Sequence, residues 1–176
     1  EARAHSAETY EDGYDQGHQD AHADGAAEDR VCRERKAKEA AESELAAVRE
    51  WRLKTPIDRF REIRRKFDAA GLNLFSYVMT FDLDFSDEEI DAVFKQMQAL
   101  KVVCFCTNQS RVDVAPRLIP FAEKYKIKPA WHPHALVDDA NEVASVASME
   151  KLLAMSKHFA INLDIGDRKS TRLNSS

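Results

Sequence analysis

The chain has 176 residues, 44% of them hydrophobic and 32% charged, with a formal net charge of −5. That is enough apolar material for one core, and the acidic balance leaves no basic footprint for nucleic acid. No apolar stretch nears the roughly 20 residues of a membrane span, no signal peptide is visible, and three cysteines (Cys32, Cys104, Cys106) make no disulfide framework, so a reducing, cytoplasmic setting is expected.

Residues 1–32 are rich in Ala, Asp, Glu, His and Gly and poor in aliphatic side chains, which predicts disorder or an unassigned polar segment. His18 and His22 would share a helix face near Asp15 and Asp20, but they read as a solvated polar stretch. Residues 33–54 are dense in Glu, Lys, Arg and Ala, a helical lead-in. From Thr55 the chain becomes regular. Thr55 is the expected N-cap of a helix with Pro56 in its first turn, carrying the stripe Ile57, Phe60, Ile63 and Phe67 and stopping at Gly71. Leu72 to Phe81 predicts a strand. Ser86 and Glu89 predict a capping box on a helix that buries Ile90, Val93, Phe94, Met97 and Leu100.

Lys101 to Thr107 predicts the next strand, nearly all apolar as if helices cover the sheet, with Cys104 and Cys106 as small core residues. A helix over 112–125, with Pro120 as a kink, a strand over 127–132, a helix over 148–156 and a strand over 159–164 complete the series. Alternating helices and strands imply an α/β fold with a parallel sheet. No Gly-rich phosphate loop follows any strand, and polar groups sit at successive strand ends, which favours a barrel over a doubly wound sheet.

Two strand ends carry the chemistry. Trp131-His132-Pro133-His134 and Asn162-Leu163-Asp164-Ile165-Gly166 lie about thirty residues apart, the repeat of one β/α unit. A histidine at one strand end and an aspartate at the next are typical ligands for a divalent metal. Each also has an ordinary reading, as a structural histidine beside proline and as a helix cap. Trp131 has the opposite parity and is expected to pack against the outer helices. The loop from Ala135 to Ala147 is long and acidic (Asp138, Asp139, Glu142) and leaves the same strand end as His132, so it is expected over the mouth.

Residues from about Trp51 to Gly166 resemble the sugar phosphate isomerase/epimerase family, with its xylose isomerase-like TIM barrel. The resemblance runs through Trp51-Arg52-Leu53 before Thr55-Pro56, Phe67-Asp68 with Ala70-Gly71, Asp87-Glu88-Glu89-Ile90 and Ala122-Glu123-Lys124-Tyr125. Most specific are His132-x-His134 and Asn162 to Gly166. It implies that residues 55–166 form part of a (β/α)8 barrel, about strands three to six. It also implies a divalent metal (Mn, Mg, Co or Zn), a small sugar or polyol substrate, and proton abstraction beside a carbonyl through an enediolate.

Asp164 matches the sixth-strand aspartate ligand. His132 stands where many relatives carry a fifth-strand glutamate, as metal ligand or as a group orienting the substrate, and His134 would hold a ligand or a substrate hydroxyl. His132 and His134 are the catalytic candidates, and Tyr77, Asn108 and Asn162 the substrate-binding ones. Tyr77 reads at least as well as a core residue, and Asn108 reads more readily as part of a turn. Related readings are a keto-polyol dehydratase on the same barrel and a non-catalytic sugar-binding barrel. A homo-oligomer is a further expectation; nucleic-acid and membrane partners are not.

Asp167 to Ser176 reads as a translated sequencing adapter (GAT-CGG-AAG-AGC-ACA-CGT-CTG-AAC-TCC-AGT), a tail to be set apart from the fold. The chain begins at Glu1, so the sequence reads as a fragment of a longer parent enzyme, itself expected to be inactive.

Overall fold

A computed structural model describes residues 17–107, 111–134, 136 and 138–163, with side chains from residue 30 onward. The chain divides into two compact units, Glu1–Ala47 and Val48–Ser176. Helix α1 (Gly17–Lys54) begins in the first, inside the segment expected to lack structure, and ends in the second. Good helix formers dominate its middle, and exposed i,i+4 pairs such as Arg30–Glu34, Arg35–Glu39 and Lys38–Glu42 follow its surface. Residues 30–47 bury almost nothing, so local propensity suffices for the helix there.

The second unit starts at Val48, earlier than the expected start at Thr55, because the last turns of α1 pack into it. Trp51 meets Phe60 edge to face at 6.0 Å, and the Arg52 carbonyl accepts a 2.8 Å bond from the Gln96 amide. Helix α2 (Ile57–Ala69) follows, and here Pro56, not Thr55, takes the N-cap position. The Thr55 hydroxyl donates backwards to the Trp51 carbonyl at 2.6 Å, closing α1 instead of opening α2. Gly71, at φ +68°, ends α2 as expected, with Leu72 N–H reaching the Phe67 carbonyl at 2.9 Å.

Thereafter the order is β1 (Ser76–Val78), α3 (Asp87–Ala99), β2 (Cys104–Thr107), α4 (Ala115–Tyr125), β3 (Lys128–Trp131), α5 (Val146–Met155) and β4 (Ala160–Ile161). The strands are shorter than the apolar runs that predict them. All pair in parallel in the order β1-β2-β3-β4, with Ser76, Cys104 and Lys128 in one row and Val78, Cys106, Ala130 and Ala160 in the next. A doubly wound sheet reverses its order at a switch point; this one does not, and it is the arrangement of an arc of a β/α-barrel.

Burial falls on one face of the sheet. Phe105 and Trp131 are fully enclosed there among Ile90, Phe94, Met97, Leu118 and Leu152 of the helices. The other face, which would line a barrel, is open. Cys104 and Cys106 stand on it half-buried, beside a groove of about 530 Å³, and are not core residues as their apolar strand suggested. Val103, just before β2, is likewise exposed and lines the same groove.

Candidate active site

Strand alternation decides which side chains reach the mouth. Ala130 and Ala160 are partners on the open face, so His132 and Asn162, two residues further along each strand, belong to that same face. The ladder continues to them, with Asn162 N–H donating to the Trp131 carbonyl at 2.8 Å. Asn162 lines the open groove. His132 is half-buried just beyond β3, and its ring meets that of His134 edge to face at 5.3 Å. Pro133 between them is buried.

Tyr77 lies elsewhere. Its register partner is Phe105, which places it on the helix-covered face, where it packs against the core. Burial pushes its phenol above the usual value, with Arg52 opposing. Trp131 behaves as its parity requires: fully buried, its ring is 4.6 Å from Phe159 and its indole N–H donates to the Arg111 carbonyl at 3.1 Å. Asn108 and Asp164 lie outside the described residues, as do residues 167–176.

Arg111, Asp113 and Asn141 were not singled out from the sequence, and Glu142 was named there only as part of the acidic loop. Asn141 caps the approach to α4: its side-chain oxygen accepts from Val112 N–H at 3.2 Å and Asp113 N–H at 2.9 Å. Arg111 pairs with Asp113, and that bond, with Asn141 adding to it, holds the Asp113 carboxyl below the usual carboxylate range. Glu142 bridges to Arg111 through the backbone and faces His134, with its Oε2 3.4 Å from Nδ1. The acidic stretch 138–142 was the only signal, and it gave no hint that the loop is pinned. Among the described residues no three His, Cys, Asp or Glu side chains converge to hold a metal. The imidazoles have suitable donor chemistry but fall short in number, and a further carboxylate is needed to complete a centre.

No family model matches the chain, and no curated protein matches it. Among solved structures it is similar to a sugar phosphate isomerase/epimerase from Parabacteroides distasonis. The two are 17% identical, with a TM-score of 0.43 over 60% of this chain and 47% of the other. The chain spans about half the length of that structure. Among the described residues no helix is long and apolar enough to cross a membrane.

Proposed function

We propose that this chain is part of a metal-dependent sugar or sugar-phosphate isomerase or epimerase, which removes and returns a proton beside a carbonyl. One observation carries the reading. His132 and His134 sit together at the carboxyl end of β3, on the face that Asn162 continues from β4. Polar groups from successive strands at that end of a parallel sheet are where β/α-barrels do chemistry. Asp164 has the parity of Asn162 and is the carboxylate that, with His132, would hold the ion. The ion, Mn, Mg, Co or Zn, would polarise the substrate carbonyl as a Lewis acid.

The remaining work falls to the chain. Asn162 offers both a donor and an acceptor, which suits a sugar hydroxyl. His134 would orient a ligand or a hydroxyl, or pass a proton as general base and acid. No glutamate stands at the end of β3 to act as base, which counts against aldose–ketose isomerisation by paired carboxylates; the second reading is a keto-polyol dehydratase, which begins with the same proton abstraction. The four described strands supply part of a mouth, so the 176-residue chain by itself is expected to bind metal but not to turn over substrate.

Cobalt titration tests this by visible absorption. The wild-type chain should take up one ion, and His132→Ala or Asp164→Asn should weaken it by about tenfold or more. Indifference to both substitutions sinks the metal site. Intense near-ultraviolet thiolate bands would move the ion to Cys104 and Cys106 instead.

A further inference from the structure

The mouth holds a buried carboxylate for which the reading above has no use. Glu142, in the loop between β3 and α5, is 9% exposed, and its Oε2 lies 3.4 Å from Nδ1 of His134. Its position is set without help from His134. Glu142 N–H donates to the Asp139 carbonyl at 3.0 Å, and Asn141 N–H to the Asp139 carboxylate at 2.8 Å. The Asn141 carbonyl accepts from Val112 N–H at 2.8 Å, and Glu142 pairs with Arg111 as an isolated bridge. The Arg111 carbonyl in turn receives the indole N–H of fully buried Trp131, and the next residue, Val143, is itself fully buried. The loop is thus fastened to the rigid helix-covered face, and it carries a carboxylate to one particular nitrogen of His134.

A neutral imidazole has one donor and one acceptor nitrogen, and the partner of one fixes the role of the other. The His134 ring also stands edge to face against His132, which restricts its rotation. We propose that Glu142 is a positioning residue that accepts the Nδ1 proton of His134 and thereby keeps Nε2 as the unprotonated nitrogen. The catalytic consequence rests on the function proposed above: Nε2 is then the atom that accepts a proton or a hydroxyl hydrogen from substrate. The tautomer itself rests only on the geometry.

The experiment is a two-bond proton–nitrogen spectrum of the 176-residue chain carrying nitrogen-15 histidine, recorded near pH 8, with His134→Gln assigning the resonance. His134 should be in the Nδ1–H form in the wild type. Glu142→Gln should keep that form, because the amide oxygen still accepts. Glu142→Ala should switch His134 to the Nε2–H form that free imidazole prefers, with the other histidines unchanged. A wild-type His134 in the Nε2–H form overturns the proposal, as does an alanine variant that stays Nδ1–H. Should the alanine variant misfold, the wild-type and glutamine spectra still decide. Neither metal nor substrate is present, so this result and the cobalt titration succeed or fail independently.

Discussion

At the scale of single residues, two carboxylates outside the mouth hold elements together by different means. Burial works to raise the Asp91 carboxyl, but Lys124, Lys95 and Tyr125 all donate to it, at 2.7, 2.8 and 2.7 Å, and hold it well below the usual range. Its depressed pKa gives stability that is fully present above the unfolded value near ~4 and lost as pH falls towards the folded one. Asp91→Asn should therefore cost about 1–2 kcal/mol at pH 7. Urea unfolding should show that difference shrinking once the pH drops below about 4. Glu89 is more deeply buried. It completes the capping box with Ser86 and faces Arg49 at 3.5 Å and Arg52 at 3.7 Å, joining the end of α1 to the start of α3. The box was legible as Ser-x-x-Glu; the arginines were not, because they lie far off in sequence and only packing brings them near.

Among the elements, α3 shows how far periodicity reaches. Ile90, Val93, Phe94, Met97 and Leu100 recur at helical spacing, and all are buried. Phe94 is the centre of this packing, stacked on Phe81, Phe121 and Tyr125 and edge-on to Phe105. Phe94→Ala should cost about 3–5 kcal/mol, through lost transfer energy and a cavity that four aromatic neighbours cannot close. Thermal unfolding measures it, and a loss below about 1 kcal/mol would show the cluster to be loose. Helix starts were less legible. Helix α5 starts at Val146 rather than 148, capped by Ser145, which forms a reciprocal box with Ser148 standing where Glu or Gln is usual. Strand lengths were overread because an apolar run marks burial, whereas pairing depends on the neighbouring strand's twist and reach.

For the unit that carries the sheet, the decisive feature is its one-sided burial. Phe75 and Val103 are exposed beside the open groove and Val78 on the face of Cys106, and β1 and β4 each pair on one side only among the described residues. Such edges and such a face invite association. The 176-residue chain should sediment as oligomers and bind an apolar dye while keeping its helical circular dichroism; a monodisperse monomer that binds no dye would contradict this. The sequence by itself determined the alternation of helices and strands, the parallel sheet and the parity that sends His132 and Trp131 to opposite faces, because these follow from local period and side-chain alternation. Only the tertiary structure decided that Tyr77 faces the core, that Cys104 and Cys106 line an open groove, and that Asn141 and Glu142 lock the loop beside His134. Those outcomes depend on register and on contacts between residues distant in sequence, which no local pattern encodes.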